Sequence, residues 1–285
     1  MPFLQTSDSL NQPIFPTAQH QLAAETAARY FEGRELVDCV LVTNSIARGN
    51  AVPGSDLDMN VLLGEAAVQS QADALQAEWE AFKAVNPLLR AFEASGPFMH
   101  VHLDVTLGQF VPEVWDDGGG PDFFEIGIGN LLRGAPLGAP SGHFLQLRQR
   151  WLPYYEEDLR QQRLRMVRAA CRYDLDFIPF YGARGLVFQA FDRLYRAHQE
   201  FLQALFIARR VYPIAYNKWI REQVAGWLGL PGLYDQLTGM LALPVLEPDV
   251  LNDRAARLGT LLEAWTKDQP RRDQRKPPSS QRAQR

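Results

Sequence analysis

Apolar and polar positions follow two different periods in the two halves of the chain. Val37-Asp38-Cys39-Val40-Leu41-Val42 is an apolar, β-rich run. Leu57-Asp58-Met59-Asn60-Val61-Leu62-Leu63 alternates and then becomes fully apolar, so both predict strands. The stretch from Met99 to Leu107 alternates throughout, which places His100, His102, Asp104 and Thr106 on one polar face of a third strand. Helical spacing flanks these runs. Residues 17–32 carry Thr17 at the N-cap position and Gly33 just past the end, and residues 66–84 carry Leu75, Trp79 and Phe82. Helix, strand, turn, strand, helix, strand predicts a small mixed sheet covered on one face by helices.

A strong break follows at Asp117-Gly118-Gly119-Gly120-Pro121-Asp122. A second comes at 133–142, with Gly134, Pro136, Gly138, Pro140 and Gly142. Beyond it the period is helical over about 143–172, 184–211, 215–229, 232–242 and 248–267. Leu186, Ala190, Leu194, Ala197, Phe201, Leu205 and Ala208 form one apolar stripe, as a bundle helix requires. The expected fold class is therefore α+β. Residues 1–140 form a small mixed-sheet domain, 141–268 an all-α helical bundle, and 269–285 a disordered basic tail.

The chemistry is concentrated between the first two strands. Ser45, Gly49, Gly54 and Ser55 mark tight turns whose backbone N–H groups can face an anion. Asp56 and Asp58 stand one residue apart on a strand, so both project from one face. Two carboxylates that close repel unless a cation lies between them, and Mg²⁺, which prefers carboxylate and phosphate oxygens, is the natural choice. With a third acid, two such ions can clamp the attacking and leaving oxygens of a displacement at phosphorus. Asp104 on the third strand supplies it. The string His100-Val101-His102-Leu103-Asp104 also has the spacing of a zinc-hydrolase motif. It lacks the further His that such a site wants, and His20, His143 and His198 show no ligand spacing.

On these residues the chain resembles the nucleotidyltransferase superfamily with a polymerase-β-like catalytic domain. That family carries a Gly-Ser turn, a downstream Asp-x-Asp and a later Asp on an adjacent strand. Ser45, Asp56, Asp58 and Asp104 match it, Ala47, Arg48 and Gly49 continue the turn, and Asn44 stands where the family usually has Gly. The resemblance covers residues 36–108 by motif, and the bundle is similar to those of antibiotic-modifying and other small-substrate members. It implies a Mg²⁺-dependent enzyme, with Asp56, Asp58 and Asp104 as metal-binding and catalytic residues. Asn44, Ser45, Arg48, Ser55 and Lys218 would hold a nucleoside triphosphate, ATP first among them. The acceptor it implies is a hydroxyl of an aminoglycoside-like or other small molecule. Protein nucleotidylation and a catalytically silent, nucleotide-binding regulator are the alternatives, the last because of Asn44. Asp104 is the leading general base and Glu125 the second. Glu156-Glu157-Asp158 is a candidate lining for the acceptor side.

Composition narrows the partners. At 285 residues with 46% hydrophobic and 22% charged side chains, the chain reads as an ordinary globular protein. The net charge of −4 divides unevenly. Residues 268–285 hold six basic and two acidic side chains, a net +4, which leaves −8 on the rest. An acidic body argues against a large nucleic-acid footprint. Cys39 and Cys171 lie far apart without metal-binding spacing, which predicts buried free thiols in a reducing compartment. No leader-like segment or membrane-length apolar run is visible, and a cytoplasmic protein is expected.

Overall fold

A computed structural model describes residues 10–115, 122–140 and 142–268. The 116–121 part of the glycine-rich break and the 269–285 tail lie outside the described residues. The fold is α+β, with one small mixed sheet and many helices.

The chain opens with α1 (Ala18–Phe31), capped by Thr17, whose hydroxyl accepts from the His20 N–H. It then forms β1 (Val37–Val42), the one-turn helix α2 (Asn44–Ala47) and β2 (Leu57–Leu63). Helices α3 (Gln69–Val85) and α4 (Pro87–Glu93) lead to β3 (Val101–Thr106). Helix α5 (Phe124–Leu132) and the two-residue β4 (Ala135–Pro136) complete the sheet region. The strand order is β3-β2-β1-β4, antiparallel at β1 and parallel between β2 and β3. Edge strand β3 is blunted by its neighbours. Gln76 of α3 donates to the Leu103 carbonyl and accepts from the Val105 N–H, so helix side chains occupy part of the exposed ladder.

Both faces of the sheet are covered, not one as expected. Val40, Val42, Leu57, Met59, Val61, Val101 and Leu103 pack with α1, α3 and α4. Cys39, Leu41 and Leu62, on the opposite face, pack with α5 and with α6 (Gly142–Trp151). Helix α6 is fixed to β1 by Asp38, whose two carboxylate oxygens accept from the His143 and Phe144 N–H groups at 2.8 and 2.9 Å. The acids of β2 share this second face, beyond the part that these helices cover.

The helix expected over 143–172 is two helices. α6 ends at Trp151, Pro153 and a left-handed Tyr154 (φ 80°) turn the chain, and α7 (Glu157–Ala183) starts in a new direction. α7 then runs through Pro179 to pair with α8 (Val187–Arg209), and α9 (Pro231–Leu241) and α10 (Pro248–Trp265) close an apolar cluster around Phe201, Leu205 and Phe206. In place of a helix over 215–229 there is an irregular segment followed by a π-helical turn, Arg221–Trp227. Cys39 and Cys171 are free and buried. Among the described residues no helix is long and apolar enough to cross a membrane.

Candidate active site

The β1–β2 connection builds the site from backbone geometry. The Thr43 N–H donates to the Asp58 carbonyl, which ties the start of the turn to β2. Asn44 then adopts the left-handed region (φ 51°), where Asn is among the few residues tolerated, so the tight turn forms without Gly at this position. The turn closes through Gly49 (φ 74°) and a bond from the Asn50 N–H to the Ser45 carbonyl. Ser55 shapes its own bend. Its hydroxyl accepts from the Val52 N–H at 2.9 Å, and its carbonyl lies 2.9 Å from Nε2 of the buried His20.

Leu57, Met59 and Val61 point into the first core, so Asp56, Asp58 and Asn60 emerge together on the other side. In the parallel register Asp58 lies opposite His102 and Asn60 opposite Asp104. Asp104 is therefore on the face of the two acids, one step further along, and is exposed. Burial raises the Asp58 carboxyl above the usual range, and the Asp56 charge adds to that rise. The Asn44 amide, His102 and Lys218 pull the other way. His102 Nε2 stands 3.9 Å from the Asp56 carboxylate. Among the described residues no three His, Cys, Asp or Glu side chains converge closely enough to hold a metal ion unaided.

Two cationic candidates take different positions. Lys218 is exposed, and its charge reaches Asp58 although 160 residues separate the two in sequence. Gln223, a residue the sequence pattern did not single out, puts it there. This fully buried amide accepts from the Ile214 N–H and donates to the Ala215 and Lys218 carbonyls, stapling the 214–218 segment against the π-helical turn. A π-turn flanked by a left-handed Trp219 (φ 60°) is the available sign of such strain, and neither is legible in a helical-looking sequence. Arg48 is half-buried in a bridge to this same segment. Its Nε lies 3.3 Å from Glu222, and its guanidinium carbon stands 5.3 Å from the centre of the Trp219 ring. Arg48 thus braces α2 against the π-helical turn. Burial lowers its pKa, with Glu222 and Asp58 opposing.

Two expectations are corrected. Glu125 is not a cleft base. It is fully buried, accepts from Gln203 at 2.7 Å and from the Tyr155 hydroxyl at 3.2 Å, and faces Arg163, which also pairs with Asp122. Burial raises its carboxyl, with Arg163 opposing. Glu156 and Glu157 do not border Asp104. They line a separate cavity of about 460 Å³ at the α6–α7 junction, where Glu157 pairs with Arg160 and Arg210.

A cavity of about 440 Å³ adjoins the acids. Asn44, Asp104, Thr106 and Gly108 line it, together with Gly127 and Asn130 of α5. Gly108 is left-handed (φ 65°), and a Cβ there would come within 2.6 Å of Leu147 and 2.8 Å of Leu62, so only glycine lets the chain fold back as this wall. The arrangement is a pair of acids at the start of β2, a tight left-handed turn beside it, a lysine whose charge acts on Asp58 and a cavity lined by Asp104. No protein-family model matches the chain, and no curated protein matches it.

Proposed function

We propose that the chain is a Mg²⁺-dependent nucleotidyltransferase that moves a nucleoside monophosphate from a triphosphate, ATP in the first instance, to a hydroxyl of a small molecule. The observation that carries this reading is the Asp56–Asp58 pair, raised on one face of β2 beside the left-handed Asn44 turn, with the charge of Lys218 directed at it. Residues to about 140 act as the catalytic unit, and the bundle after it contributes Lys218 to the nucleotide end.

The donor set fits Mg²⁺. Asp56 and Asp58 offer hard carboxylate oxygens, with Asp104 as the third acid, and a Mg²⁺ site of one or two carboxylates is ordinarily completed by substrate phosphates and water. Bound there, the ion supplies neutralisation of the charge that builds on the transferring phosphoryl group. The protein's own part is positioning. N–H groups of the Ser45 turn and the Lys218 ammonium hold the triphosphate, and Asn44 steadies the ionised Asp58. Asp104 accepts the proton of the acceptor hydroxyl as its oxygen bonds to the α-phosphorus. The bond from that phosphorus to the bridging oxygen breaks, and pyrophosphate leaves.

The test is transfer of label from α-³²P nucleotides, with Mg²⁺, into a panel of small hydroxyl compounds and, separately, a protein lysate. Asp56→Asn serves as the blank. Label in the small-molecule fraction, lowered by about 10²–10⁴ in Asp56→Asn, is the expected result. Equal transfer by wild type and variant sinks the reading, and label confined to protein shifts it to protein nucleotidylation.

A further inference from the structure

We infer that the cavity beside Asp104 is the acceptor pocket and that it takes a neutral, polyhydroxylated compound instead of a polycation. The inference rests on the transferase reading for the fate of the occupant, but its recognition chemistry stands on the cavity alone. The two ends of the site differ in charge. Lys218 and Arg48 lie on the side of Asp58 that faces the π-helical turn, whereas no Lys or Arg is among the described residues lining the cavity. A triphosphate therefore has no counter-charge in the cavity, and the cavity is left to the other substrate. Its rim at that point is Asp104, the acid positioned to take a hydroxyl proton.

The lining then selects the chemistry. Asn44, Asn60, Gln69, Gln109 and Asn130 contribute five side-chain amides, while Asp104 is the one ionisable group among the described lining residues. Amides offer paired donors and acceptors, the complement of a sugar or polyol hydroxyl. A ligand with several ammonium groups would need several carboxylates, and one does not suffice. Three of the amides are already partnered, Asn44 with Asp58, Gln69 donating to Asp73 and Asn60 with Thr106, which leaves the rest of each for a ligand. The Asn60 oxygen accepts from the Thr106 hydroxyl at 3.1 Å, leaving its NH₂ to donate. The Asn130 oxygen is buried and has no hydrogen-bond partner among the described residues, so this lining amide is not committed to the fold. Phe110 adds an apolar wall, and Gly127 makes room for it, since a Cβ there would stand 3.3 Å from the ring. An aromatic wall facing amides suits the C–H and O–H faces of a sugar ring.

The experiment is saturation-transfer NMR on the full chain without nucleotide or Mg²⁺. Methyl glucoside, maltose and myo-inositol are the neutral probes and kanamycin the cationic one. Binding of at least one neutral probe in preference to kanamycin is expected, weakened about tenfold by Asn130→Leu and by the exposed Gln109→Leu. Preferential binding of kanamycin, no signal from any neutral probe, or binding unchanged in both variants overturns the inference. Asp56→Asn keeps the two readings apart. Neutral-probe binding retained in that variant shows that the pocket stands apart from the acid pair, and neutral-probe binding by a wild type that transfers no label leaves the pocket standing while the transferase reading falls. Label passed to kanamycin but not to the sugars does the reverse.

Discussion

Asp56–Asp58 and Asp122–Glu125 are two acid pairs close in sequence, and the fold treats them in opposite ways. Asp122 and Glu125 are fully buried and fully answered. Arg163 pairs with both, Gln203 donates to both, and the Glu113 N–H and the Tyr155 hydroxyl take further oxygen positions. Asp56 and Asp58 stay partly exposed, with Asn44, His102 and Lys218 near them and, among the described residues, no arginine paired with either. Buried like charges that are paired hold parts of a structure in register, here α5 against α7 and α8. Like charges left together at a rim store repulsion that an arriving cation relieves. The difference assigns Asp122 and Glu125 to the scaffold and leaves Asp56 and Asp58 as the pair that the proposed chemistry would use.

The strongest way to break that contrast is to remove one guanidinium. Arg163→Met leaves two carboxylates in the interior without their cation, and about 3–5 kcal/mol of unfolding free energy should be lost in urea titration. Asp58→Asn should change stability by less than about 1 kcal/mol, or raise it, because the Asp58 carboxyl is already disfavoured in its charged form by burial and by Asp56. Similar losses in the two variants would mean that both pairs are structural. Adding Glu125→Gln to Arg163→Met should recover part of the loss.

Much of the chemical pair was legible in the sequence and little of the scaffold pair was. β1 falls over an apolar, β-rich run and β2 over an alternating one, as each predicts, and the alternation puts Asp56, Asp58 and Asp104 on one face. Helix α5 escaped because Gly127 and Gly129 lower its helical propensity. The structure shows why Gly129 is there, since a Cβ would come within 1.9 Å of the Pro213 carbonyl oxygen, where the linker crosses the helix. That contact is long-range and leaves no local pattern. The same holds for Gln223, whose amide acts on backbone groups of the irregular segment that precedes it. Helix α4 has a local sign in Asn86-Pro87, with Asn86 capping the Leu88 and Leu89 N–H groups and Pro at the first position, but its seven residues are too few to show a helical period.

Glu200 sharpens the comparison as an acid that is buried but not answered. Neither of its oxygens has a hydrogen-bond partner among the described residues, and burial, with Asp174 adding to it, pushes the carboxyl up from 4.5 to about 9. The folded value lies above the unfolded one, so the folded chain keeps a proton that the unfolded chain has released. Its stabilising contribution is complete below about 4.5 and declines as pH rises towards about 9. Glu200→Gln removes the ionisation and keeps the shape. At pH 8 the variant should be more stable than wild type by on the order of 1–3 kcal/mol, and the gap should close near pH 4, as read by thermal melts across that range. A gap independent of pH would show that the carboxyl is not held protonated.

Lys218 gives the smallest effect and tests the chemical pair most directly. Its side chain is exposed and its backbone carbonyl is held by Gln223, so Lys218→Ala removes the charge while the stapled segment keeps its path. An exposed ammonium facing a triphosphate is screened by water and salt, so the loss should be modest. KM for the nucleotide should rise about tenfold at low ionic strength and less at high salt, with kcat little changed. Lys218→Arg, which keeps the charge on a different fork, should recover most of it. A fall in kcat with KM unchanged would instead place Lys218 on the transition state, against the departing pyrophosphate. Gln223→Leu separates position from charge: freed from its staple, the same lysine should give the same KM defect without any change of charge.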